Sequence, residues 1–82
     1  MRKLFRRFSK LKCDRKPIMS SIIASVGYNT SEEILEIEFK RNRDIWQYSE
    51  VPNLLWTEFV KSNSKGKFFL KEIKDKYPRV KI

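Results

Sequence analysis

Histidine is absent from this sequence, cysteine occurs once and glycine twice. Each shortage removes a class of function. Without histidine the commonest general acid and base is missing, and Cys13 has no imidazole to turn its thiol into a nucleophile, so catalysis is not expected. One cysteine cannot close a disulfide within the chain, which leaves an oxidising compartment unsupported and makes the cytoplasm the expected setting. Gly27 and Gly66 stand apart from any phosphate-loop spacing. The apolar runs are only a few residues long, far short of a bilayer span. The first twelve residues lack the continuous apolar stretch of a secretory signal, although their basic, acid-poor character imitates a mitochondrial presequence. Glu32, Glu33, Glu36 and Glu38 form an acidic cluster that would suit a hard cation. Glu36 and Glu38 fit better as solvated outward positions of a half-buried strand, and neither a metal nor another cofactor is expected.

What the chain has in excess is positive charge. Its 82 residues suit one small domain, which buries only ~60% of its unfolded surface and has no room for a deep enclosed active site. The formal charge is +9, unevenly spread. Residues 1–17 carry eight Lys or Arg against Asp14 alone, residues 18–60 three against seven acidic side chains, and residues 61–82 eight against two. Two basic ends around an acidic middle point to a polyanionic partner, nucleic acid or anionic lipid.

Residues 1–17 read as a basic amphipathic arm and linker. Leu4, Phe5, Phe8 and Leu11 recur at helical spacing with the basic residues opposite, and Lys16-Pro17 then turns the backbone away from helix, making 13–17 the linker. Residues 18–82 read as the domain. Ser21 to Tyr28 is rich in Ile and Val and predicts a first strand, followed by turn chemistry at Asn29-Thr30-Ser31. Leu35, Ile37 and Phe39 alternate with Glu36, Glu38 and Lys40 in a second strand. Arg41 to Asp44, lacking glycine, predicts a loose hairpin loop, and Ile45 to Val51 a third strand. A helix follows from Pro52 to about Lys61, with Leu55, Trp56, Phe59 and Val60 on one face. Ser64 can cap a second helix whose stripe is Phe69, Leu70, Ile73 and Tyr77, and Pro78 stops it. The tail Arg79 to Ile82 can add a short extended segment. The fold class is α+β: a three-stranded antiparallel sheet followed by two helices packed on one face, β-β-β-α-α.

Four phrases of the chain, SSIIASVGYN, LEIEFK, IWQYSEVP and SNSKGKFFLKEIKDKYP, stand in an order and spacing that resemble the KTSC domain. That module occurs at the C-terminus of some lysyl-tRNA synthetases and as stand-alone bacterial proteins. The family's central aromatic-x-aromatic motif is carried here by Trp46 and Tyr48, as Trp-Gln-Tyr where the usual form has tyrosine at both ends. The resemblance implies a stand-alone domain related to an appendage of a tRNA-binding enzyme.

Trp46 and Tyr48 can be read in two ways. Adjacent same-face aromatics can stack bases on an open sheet. Turning them outward would bury Gln47 and Ser49 under the helices without evident partners, which favours a core role for the pair. The basic ends then carry the nucleic-acid argument. In the arm these are Arg2, Lys3, Arg6, Arg7, Lys10, Lys12, Arg15 and Lys16. On the domain, a helical wheel puts Lys67, Lys71 and Lys74 on one strip, with Lys65 near the helix start. The amides near Ser64 and Gly66 could receive one phosphate, and the Ser-x-Gly run itself can be conformational. The expected function is non-catalytic binding of nucleic acid, RNA ahead of DNA, by electrostatic capture. The alternatives are a protein-interaction or anionic-nucleotide module, one that could be oligomeric, and membrane-surface association through the arm.

Overall fold

A computed structural model describes residues 14–82, and within them the chain forms a five-stranded antiparallel meander covered on one face by helices. The strands are β1 (Lys16–Pro17), β2 (Ile23–Asn29), β3 (Ile34–Phe39), β4 (Ile45–Tyr48) and β5 (Arg79–Lys81), each paired with the next in order. Between β4 and β5 run α1 (Asn53–Lys61) and α2 (Lys65–Phe68), the latter continuing as a π-helical turn over Phe69–Ile73. The α+β class, the two helices and the central strands follow the sequence pattern. The expected count of three strands was too low: the residues read as a linker pair with β2, and the C-terminal tail pairs with β4. Both additions are short edges. Pro17 is tolerable in a strand because an edge needs ladder bonds on one side only, and Lys16, Arg79 and Lys81 discourage further pairing.

Alternation sets the two faces of the sheet. Leu35, Ile37 and Tyr48 point to the helices, where Phe59, Phe69 and Ile73 meet them in a fully or almost fully buried core. In β2 an irregularity between Ile23 and Ser25 lets Ile23 and Val26, three residues apart, both join that core. Tyr48 packs edge-on against Phe69 at 5.5 Å between ring centroids, and Phe39 meets the same ring at 5.5 Å. Further along, Tyr28 stacks on Trp56 at 5.1 Å, and its hydroxyl donates to the Val51 carbonyl.

Loop chemistry holds the meander together. Asn29 Oδ1 accepts from the Glu32 amide at 2.9 Å, closing the first turn. Residues 40–44 form the looser second loop expected without glycine; Phe39 N–H donates to the Asp44 carbonyl at 2.9 Å and Arg43 takes a left-handed φ of 63°. Gly66 explains how α2 approaches the sheet. A Cβ there would lie 3.2 Å from both Ile22 Cγ1 and Ser20 Oγ, while the Ser20 hydroxyl accepts from the amides of Ile22 and Ile23. These serine and glycine positions are therefore conformational in use. Ser64 caps α2 as expected, accepting from Lys67 N–H at 3.4 Å.

Candidate nucleic-acid interface

The sheet face away from the helices departs from the expected solvated carboxylates. Ser25, Glu36 and Gln47 lie there as the alternation requires, yet Glu36 and Gln47 have no exposed surface. Arg15 crosses this face, ion-paired to Glu36 and donating through Nε to Ser25 Oγ at 3.0 Å. Gln47 Nε2 donates to Glu36 Oε1 at 2.9 Å and Ser25 Oγ to Glu38 Oε1 at 2.8 Å. The reason is local: β1 places its preceding arginine directly over a carboxylate that period-two reasoning could only aim outward. Arg15 is thereby committed to the domain's own structure.

The opposite side carries an open trough between the helices and the β3–β4 loop. Its first hollow is about 590 Å³, with aromatic walls from Phe39, Trp46, Tyr48 and Phe69. Basic side chains from three separate elements reach it: Lys40 and Arg41 from the loop, Lys74 after the π turn, and Arg79 from β5. The one carboxylate lining it, Asp44, pairs with Lys81 at 3.6 Å. The first hollow shares Ser21, Ile22 and Leu70 with a second of about 230 Å³, lined also by Lys65, Gly66 and Lys67. Leu70 and Met19 remain largely exposed beside this path.

Trp46 and Tyr48 both line the first hollow but differ in burial. Tyr48 is core, 2% exposed; Trp46 is only partly buried and lines the trough wall. The Arg79 guanidinium sits 5.2 Å from the Trp46 ring centroid, a cation–π contact. Burial pushes the Tyr48 hydroxyl pKa up, while the nearby Arg79 opposes the rise and Asp75 adds to it.

The remaining basic positions fall as follows. Lys16 is exposed on β1. Lys65 Nζ donates to the Ser62 carbonyl at 3.1 Å, closing the end of α1. Lys67, Lys71 and Lys74, the three assigned to one strip of the second helix, are exposed. The π turn, in which Lys74 N–H reaches back to the Phe69 carbonyl at 2.9 Å, adds a residue to the turn. Lys74 lines the first hollow, Lys67 the second, and Lys71 neither. Arg2, Lys3, Arg6, Arg7, Lys10 and Lys12, with the amphipathic arm they belong to, lie outside the described residues. Lys40, Arg41 and Arg79 were missed because they sit in a loop and a tail with no periodic signal, and only the fold gathers them.

The family model of the KTSC domain matches residues 19–77. The chain belongs to the KTSC family. The crystal structure of a KTSC domain protein from Yersinia pestis is similar throughout, with 38% identity and a TM-score of 0.81 over 87% of this chain and 99% of that one. Comparison with curated proteins finds no match. All four phrases that carry the KTSC resemblance contribute residues to the trough: Ser21 and Ile22 from the first, Phe39 and Lys40 from the second, Trp46 and Tyr48 from the third, Gly66 and Phe69 from the fourth. No helix among the described residues is long and apolar enough to cross a membrane.

Proposed function

We propose that this KTSC domain is a non-catalytic, cytoplasmic binder of nucleic acid, RNA ahead of DNA, acting by electrostatic capture. The observation that supports the reading best is the convergence of Lys40, Arg41, Lys74 and Arg79 on an aromatic-walled trough whose one acidic residue is already paired. Phosphates need cationic donors spaced along a path, and bases need flat apolar surfaces; the trough supplies both. The basic residues of the N-terminal segment add charge without sequence preference.

Salt dependence tests this directly. Binding of a generic RNA to the full chain should weaken with salt on a log-log slope of magnitude roughly four to six, set by the phosphates neutralised. A slope near zero, or no binding at low salt, would transfer the case to an acidic protein partner. Binding to anionic vesicles with none to RNA would transfer it to the membrane surface.

A further inference from the structure

Arg79 lies over the ring of the half-buried Trp46 where both line the first hollow, so an aromatic surface suited to a base is shielded by a guanidinium well suited to a phosphate. Resting on the nucleic-acid reading above, we propose that this end of the trough seats one unpaired nucleotide of a single strand. On binding, Arg79 leaves the indole for the backbone phosphate, and the base takes its place against Trp46. The exchange is favourable because a surface cation–π contact is weaker than a charge-assisted guanidinium–phosphate pair together with a base stack. It is also mechanically easy. Arg79 is an exposed residue at the start of a three-residue edge strand, and its long side chain can turn without disturbing the ladder.

Two features commit the occupant to a strand. The hollow of about 590 Å³ is of a size that holds one small molecule, but it shares Ser21, Ile22 and Leu70 with the second hollow beside it, where Lys67 gives the next phosphate a partner. A free nucleotide would use only the first. A duplex is excluded for a different reason: its base faces are stacked internally and cannot be presented to the indole.

The test uses the full chain at low salt with three probes: an oligouridylate of roughly ten residues, an RNA duplex of the same length, and uridine monophosphate. Tryptophan emission is followed, with Trp46→Phe separating Trp46 from Trp56, which is stacked against Tyr28. The single strand should change Trp46 emission and bind more tightly than either other probe. Arg79→Ala should weaken single-strand binding about tenfold while changing duplex binding little. Arg79 is exposed, and an unchanged Tm for this variant separates lost binding from lost fold. Equal binding of strand and duplex with silent Trp46 emission would overturn the seat while leaving electrostatic capture intact. Uridine monophosphate binding as tightly as the strand would overturn the strand as occupant. Failure of both RNAs to bind would remove the nucleic-acid reading and the seat with it.

Discussion

Glu36 is a carboxylate with no exposed surface, and Arg15, itself partly exposed, lies over it as its ionic partner. Removing the arginine leaves a buried charge undercompensated, whereas neutralising the acid leaves an arginine that can still turn to water. Arg15→Ala should therefore cost about 3 kcal/mol and Glu36→Gln distinctly less. Urea titrations of both variants check this, and a negligible cost for Arg15→Ala would place the pair with ordinary surface bridges. The aromatic pair separates similarly. Tyr48→Ala should cost about 3 to 5 kcal/mol as a core truncation, and Trp46→Ala less, because part of its ring already faces the trough. Equal losses would mean that Trp46 is structural. A pH effect arises at Tyr28, whose phenol is pushed up to about 12, first by burial and then by the nearby Glu33 carboxylate. The unfolded chain, with the ordinary value of 10.0, sheds this proton first, so stability is unaffected below that pH and declines as pH rises toward about 12. Tyr48 contributes in the same direction. The stability advantage of the native chain over Tyr28→Phe should shrink across that window, measured by denaturation at alkaline pH.

At the scale of elements, α2 depends on a close approach that its sequence allows only at Gly66. Alanine would raise helix propensity by up to roughly 1 kcal/mol, but its Cβ would crowd Ile22 and Ser20 at 3.2 Å. Overpacking of this kind typically costs about 1 to 3 kcal/mol, so Gly66→Ala should be net destabilising, read as a lowered Tm. A raised Tm would show that the segment around Ser20 yields readily. The same element continues as a π turn over Phe69–Ile73. Phe69 and Ile73 lie in the core and Leu70 and Lys74 line the trough, each pair four residues apart on one face as a helical wheel also places them.

For the whole molecule, charge and fold are separable. Nearly all of the Yersinia pestis protein is matched by 87% of this chain, so a fold of this size stands without the remainder. Deleting residues 1–13 should leave a cooperatively folding protein, whereas a cut after residue 16 would also remove Arg15 and half of β1. The shorter deletion takes away six Lys or Arg. It should lower RNA affinity and reduce the magnitude of the salt slope by roughly two to three, with residual binding carried by the trough. An unchanged slope would mean that the N-terminal residues contact no phosphate.

The sequence alone determined those features that rest on local periodicity and local chemistry. Alternation at Leu35, Ile37 and Phe39 assigned β3 and its faces, Ser64 marked the start of α2, and the unpaired surplus of Lys and Arg identified an anionic partner as the class to consider. Tertiary structure decided everything that depends on distant segments meeting. Lys16–Pro17 and Arg79–Lys81 are too short to declare themselves as strands and exist as such only because β2 and β4 offer them edges. Glu36 reads as outward in any alternating strand, and whether outward means solvated depended on Arg15, 21 residues away in the chain. The trough is the clearest case, because Lys40, Trp46, Lys74 and Arg79 share no periodic relation and become neighbours only when the meander closes its last strand beside β4.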